Sequence, residues 1–144
     1  MFEEIASDDN FALAALTDEI ASRYGDLVGY RSEVSLSELT PENATATDAG
    51  GYAREFESLS DGTRDSFLLA ARLALAEWAF PQPPILVLDE PFIHLDRLRT
   101  EAALGLIDRF RVRSGAQVVF LTMDERVADD CVSHFSDSVR ISLT

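Results

Sequence analysis

The sequence contains no lysine; all 12 of its basic residues are arginine. A phosphate-binding loop of the Gly-x-x-x-x-Gly-Lys-Ser/Thr type uses its lysine to reach the β- and γ-phosphates. These 144 residues therefore cannot hold such a loop. Cysteine is almost as scarce: Cys131, the single one, cannot close an internal disulfide and is most simply a small core residue. With only His94 and His134 beside it, no ligand cluster of the kind that builds a zinc site is available. No apolar run approaches the roughly 20 residues of a membrane-spanning helix, so no membrane partner is expected. The start, Met-Phe-Glu-Glu-Ile, lacks the basic lead and apolar core of a signal peptide. A reducing cytoplasm is the expected location. Positive charge is in short supply, with 26 acids against 12 bases and a net charge of −14. A surface this acidic repels nucleic-acid phosphates and argues against direct DNA binding by this segment.

What is present suits one compact α/β domain. Hydrophobic residues make up 47% of the chain, enough for a core. Residues 2–22 read as an amphipathic helix, with an apolar stripe of Phe11, Leu13, Leu16 and Ile20 and with Asp18, Glu19 and Arg23 off it. Asp8-Asp9-Asn10 is a candidate cap for its second part, and Tyr24-Gly25-Asp26 its expected end. Residues 27–57 read as short antiparallel strands at 27–30, 33–36, 44–47 and 52–56. The last two flank a hairpin turn, Asp48-Ala49-Gly50-Gly51, and Thr40-Pro41-Glu42-Asn43 reads as a loop.

From Leu59 the pattern changes. A helix over 63–80, apolar almost all round, is stopped by Pro81. Residues 85–88 form a continuous apolar run, the pattern of a parallel strand buried on both faces. A helix over 96–113, a second buried strand over 117–121, a short helix over 124–131 and a final strand over 138–143 follow. Strand alternating with helix implies right-handed crossovers and a parallel sheet, with ligands at the carboxyl ends of the strands.

Two features lie where such a ligand would sit. Asp89 and Glu90 end the apolar strand. Paired acids there suit phosphoryl transfer, one holding magnesium through water and the other aligning an attacking water. The plainer alternative is a solvated strand end whose acids cap the next turn. The second feature is Leu59-Ser60-Asp61-Gly62-Thr63. Gly62 permits close backbone approach, Ser60 brings a hydroxyl, and the helix amides present a favourable dipole to an anion. An ordinary N-cap by Ser60 or Asp61 explains this turn equally well on its own.

The combination is more specific. Leu-Ser-x-Gly, a helix, apolar-Asp-Glu-Pro and then His-Leu-Asp, in this order and spacing, resembles the C-terminal lobe of an ABC-type ATPase head. It is most similar to the SMC-like branch that includes SbcC-, RecN- and YhaN-type proteins. The resemblance is strongest from Leu59 to about Asp130. It implies the C-terminal half of a P-loop ABC-type head: a mostly parallel sheet core with flanking helices and a small antiparallel β region near the N-terminus. Residues 1–58 would be a helix plus β-subdomain, and 59–144 the signature, Walker B, D-loop and switch region. It also implies ATP and Mg2+ as cofactors. Ser60 and Gly62, with Asp61 between them in place of a glycine, would contact the γ-phosphate of ATP on a partner head. Asp89 would hold magnesium through water, and Glu90 would be the general base. His94 and Asp96 would belong to the D-loop at the dimer interface.

One position departs from the family. Where a switch histidine would follow the second buried strand, Thr122 is followed by Met123, whose thioether cannot donate a hydrogen bond. Either Thr122 or Asp124 substitutes, or hydrolysis is slow. The resemblance thus implies an ATPase segment serving DNA repair or chromosome maintenance. It would be inactive alone and need a lobe that supplies the phosphate-binding loop. Its other implied partners are a second head, DNA reached through other parts of the assembly, and a nuclease; a coiled coil is a further feature the resemblance implies. The alternative is a non-catalytic interaction module that keeps the fold; a RecF-like or nuclease-fused head is a third reading. Arg64 could meet a phosphate or a surface acid, while Arg97, Arg99, Arg109, Arg111 and Arg113 are expected to decorate an exposed helix.

Overall fold

The computed structural model describes residues 2–37 and 43–143, with side chains from Phe11 onward. Helix α1 spans Phe2–Val28 without interruption. It passes through Asp8-Asp9-Asn10, so no second helix start is capped there, and it continues two turns beyond the expected end at residue 22. The reason is burial. Leu16, Ile20, Tyr24 and Leu27 recur at helical spacing and all lie in the core, and the Tyr24 ring packs edge-on against Phe67 of the next helix. Burying these side chains outweighs the roughly 1 kcal/mol that Gly25 costs inside a helix. The helix stops only at Gly29, whose φ of 79° is easy for glycine, so the expected strand over 27–30 does not form. The apolar stripe also differs from expectation, since Phe11 is exposed and Arg23 is only 3% exposed. Arg23 bonds Glu19 and Glu77, and Arg113 also pairs with Glu77, tying the three long helices together.

Strands β1 (Val34–Leu36), β2 (Ala44–Thr47) and β3 (Ala53–Glu55) form an antiparallel sheet in the order β1-β2-β3. The β2–β3 hairpin turns at Asp48, whose Oδ1 accepts from the Gly50 and Tyr52 amides, with Gly51 at φ 80°. Of the expected loop, Thr40, Pro41 and Glu42 lie outside the described residues.

Helix α2 (Asp61–Ala79) packs along α1 and carries Phe67, Leu69, Ala70 and Leu73 into the core. Strand β4 (Ile85–Asp89) pairs in parallel with β5 (Gln117–Leu121), connected by α3 (Arg97–Ser114); Asp96 caps α3, and Gly115 ends it in the left-handed region. Helix α4 (Glu125–His134) follows. Cys131 is buried in it, and burial pushes its thiol pKa up to about 11, as suits an inert core residue. The final strand over 138–143 is not formed. Val139, Ile141 and Leu143 are exposed, and Arg140 is tethered to Glu125 and Asp129. No helix among the described residues is long and apolar enough to cross a membrane.

The parallel sheet departs from the pattern of a strand buried on both faces. Leu88 is buried, and Leu86, Val118 and Phe120 pack against the core. On the other face, Ile85 is 69% and Val87 56% exposed, and Leu121 is exposed at the end of the neighbouring strand. Two-faced hydrophobicity is written into β4, but among the described residues only one face is covered.

Candidate functional site

Strand alternation places Ile85, Val87 and Asp89 on the same uncovered face. Asp89 therefore ends an exposed apolar row and is itself exposed. Glu90 is placed differently. Its amide donates to the Leu121 carbonyl at 2.8 Å, extending the β4–β5 ladder by one step. Its φ is +43°, the one positive value at a non-glycine position among the described residues. A left-handed backbone at such a residue costs on the order of 1–3 kcal/mol and persists only where the surroundings enforce it. Here the turn after β5 does so. Thr122 Oγ1 donates to Glu90 Oε2 at 2.9 Å, and the Met123 amide donates to Oε1 at 2.6 Å. The two acids, adjacent in sequence, are thus separated in role: Asp89 faces the open side, and Glu90 is fixed at the strand end.

The turn at 59–63 leads directly into α2. Ser60 is the residue before the helix, but its hydroxyl pairs with Thr63 Oγ1 at 2.7 Å and caps no backbone amide. The plain N-cap reading therefore does not account for the serine side chain. Asp61 bonds Arg64, and that guanidinium holds the Asp61 carboxyl below its ordinary pKa; Glu57 is a second acid near Arg64. Arg64 accordingly has surface acids as partners.

Gly62 is fixed by contact with a second loop. A Cβ built on it would lie 2.5 Å from the backbone oxygen of His94. The loop over 91–96 is further tied to the start of α2 by His94 Nδ1 and Asp65 Oδ2, 2.8 Å apart. Arg99 Nη1 reaches Thr63 Oγ1 at 3.4 Å, while Asp96 Oδ1 accepts from the Arg99 amide as the cap of α3. The helix start and the loop that follows the strand-end acids are thereby one unit. Arg99 belongs to it, and so is not one of several arginines merely decorating α3. His94 has a carboxylate partner, and no group of three or more potential metal ligands occurs among the described residues.

Sequence reasoning named Ser60, Asp61, Gly62, Asp89, Glu90, His94 and Asp96, and the structure places them in two clusters, at the start of α2 and at the end of β4. It missed Thr63, Asp65 and Arg99. The bonds that join the two segments, His94–Asp65 and Arg99–Thr63, span 29 and 36 positions, and no local pattern marks such pairs.

Gly62→Ala gives a test of the close approach. Alanine normally stabilises a helix by about 1 kcal/mol over glycine. Here overpacking against a carbonyl costs about 1–3 kcal/mol, so chemical denaturation should show a net loss of stability. A more stable variant would remove the contact from the structure.

A magnesium ion takes hard oxygen ligands and is commonly bound by one or two carboxylates together with substrate phosphates. The exposed Asp89 carboxylate fits that donor set as one ligand among several. The exposed Ser60 hydroxyl and the amides that open α2 suit a phosphate oxygen, with Arg64 offsetting the charge of Asp61.

No protein-family model matches the chain. Among curated proteins, a Rad50 DNA double-strand break repair ATPase from Sulfurisphaera tokodaii is 33% identical over 110 residues, covering 76% of this chain and 12% of that protein. The Rad50 ATPase of Methanopyrus kandleri is 39% identical over 85 residues, 56% of this chain and 9% of its own length. The hemin import ATP-binding protein HmuV of Streptomyces coelicolor is 39% identical over 88 residues, 60% of this chain and 29% of its length. The chain thus spans only about a tenth of the Rad50 relatives. Among solved structures, an SMC ATPase described for its ATP-driven dimerization and DNA-stimulated activation superposes with a TM-score of 0.69 at 19% identity, over 92% of this chain and 79% of that one. The Smc head of Pyrococcus furiosus, solved with the C-terminal domain of ScpA, gives 0.64 at 21% identity over 84% and 30%. By sequence and by fold together, this chain matches a segment of SMC-like ABC-type ATPase heads.

Proposed function

We propose that the chain is the C-terminal lobe of such a head and that it hydrolyses ATP only when joined by a lobe carrying the phosphate-binding loop. The observation that carries this reading is the uncovered face of β4. Its apolar pair, Ile85 and Val87, ends in Asp89 on the same side. A lobe docked there would cover the apolar row and bring its phosphate loop to the Asp89 carboxylate. The absence of lysine requires that loop to come from elsewhere.

In the assembled head, Mg2+ would neutralise phosphate charge and polarise the reacting phosphoryl group. Asp89 would hold the ion through water. Glu90, fixed at the strand end, accepts the proton of the attacking water at a carboxylate oxygen. Ser60, exposed ahead of α2, and the Gly62 amide would form a half-site for nucleotide held by a second head. The loop over 91–96 carries His94 and Asp96 between the two half-sites, because its backbone contacts Gly62 while its start follows Glu90. Service in DNA repair is the biology suggested by the Rad50 relatives. With a net charge of −14, this segment leaves DNA contact to other parts of the assembly.

The test is to incubate the isolated chain with Mg-ATP. No turnover is expected, and turnover should appear on adding the complementary lobe. Sustained hydrolysis by these 144 residues alone would overturn the half-head reading.

A further inference from the structure

The exposed Met123 raises the question of what replaces a side-chain donor beside the base. Its side chain is 93% exposed and makes no contribution there. Its backbone amide, by contrast, donates to Glu90 Oε1 at 2.6 Å, a bond that is indifferent to the side chain. The second carboxylate oxygen is held by Thr122 Oγ1 at 2.9 Å. Asp124, the other polar candidate in this turn, is engaged elsewhere: its Oδ1 accepts from the Arg126 amide as the cap of α4. The Asp124 amide donates to Thr122 Oγ1 at 3.1 Å. That bond occupies an acceptor site of the hydroxyl and turns its proton toward Glu90. The three bonds form one relay from the cap of α4 to the carboxylate.

We infer that Thr122 is the positioning residue for Glu90, and that the turn over 122–124 orients the base through a hydroxyl and a backbone amide without any histidine. The inference rests on the reading of Glu90 as general base. Each carboxylate oxygen accepts one bond and keeps a further lone pair, so the group is oriented without being blocked. The need for orientation is acute because Glu90 sits in a left-handed backbone that its own sequence does not favour. A base displaced by about 1 Å loses roughly a hundredfold in rate.

The experiment uses the assembled head, with ATP turnover measured over a range of ATP concentrations. Thr122→Val removes the hydroxyl at nearly constant volume. It should lower kcat by roughly ten- to a hundredfold while leaving the KM for ATP unchanged. Thr122→Ser, which restores the donor, should recover most of the rate, and Val112→Ala, at an exposed position on α3, should change neither constant. A general loss of packing would move KM as well and would not be rescued by serine. Wild-type kcat in Thr122→Val, or serine as poor as valine, overturns the inference. Glu90→Gln is run beside them. Undiminished turnover in that variant overturns the base reading and this inference with it. A dead Glu90→Gln with a fully active Thr122→Val overturns this inference alone.

Discussion

Substituting Glu90→Gln is expected to lower ATP turnover of the assembled head by about two to four orders of magnitude, the usual contribution of a positioned general base. It should also leave an ATP-bound dimer that persists. Both parts follow from the local bonding. Glutamine has the shape of glutamate, and its carbonyl oxygen can take the Met123 amide in place of Oε1. Its amino group would then face Thr122 Oγ1, a hydroxyl that can accept as readily as donate. The turn over 122–124 therefore survives and the left-handed backbone stays enforced. What is lost is the ability to take a proton from water. Asp89 is untouched, on another face of the strand end, so the proposed magnesium ligand remains. The Ser60–Gly62 turn, at the start of α2, remains able to engage a second head. Binding without hydrolysis halts the cycle at the engaged state, visible as a stable dimer by light scattering and as absent phosphate release. Unchanged turnover would remove Glu90 from the chemistry. Lost turnover without a trapped dimer would argue that the substitution disturbs engagement.

The extent to which this arrangement was legible in the sequence depended on the distance over which each feature is determined. The β2–β3 hairpin, the helix opened by Ser60 and the strand over 85–88 are set by neighbours within a few residues, and each forms close to where its pattern places it. The turn residues Asp48 and Gly51 announce themselves, as does Gly115 after α3. Helix α1 ran past Gly25 because its last turns are decided by Phe67 and α2, 40 or so positions away, which a local propensity rule cannot weigh. Arg23 reads as a surface residue until Glu19 and Glu77 converge on it. The tail over 138–143 alternates like a strand, but alternation only prepares a segment for pairing, and no strand lies beside it among the described residues. In the site, residue types identified the acids and the turn. The pairings Asp65–His94 and Thr122–Glu90 came from tertiary contact alone. Of the two candidates in the 122–124 turn, only geometry separates Thr122, which reaches Glu90, from Asp124, which caps α4.

The uncovered face of β4 gives the second large effect. Val87→Asp should abolish docking of the phosphate-loop lobe while leaving the chain folded. Val87 is 56% exposed and packs against little that its removal would disturb. An aspartate there is solvated in the free chain, so its cost to stability should stay within about 0.5 kcal/mol, as for other surface changes. In the assembled head the same position would be covered. Losing a buried valine forfeits on the order of 1–2 kcal/mol, and sealing a polar group away from water without a partner adds about 1–3 kcal/mol. A total near 3–4 kcal/mol weakens association by two to three orders of magnitude, at about 1.4 kcal/mol per tenfold. The nearby Asp89 makes matters worse for the variant, since it puts a second negative charge on the same strand face two residues away. Val112→Asp supplies the control. It introduces the same charge at an exposed valine on α3, and it should leave docking intact, because the proposed docking surface is the β4 face. Binding measured by calorimetry or co-purification separates the outcomes. Full affinity in Val87→Asp would mean that the lobe docks on another surface, and that the apolar row ending in Asp89 has a different occupant.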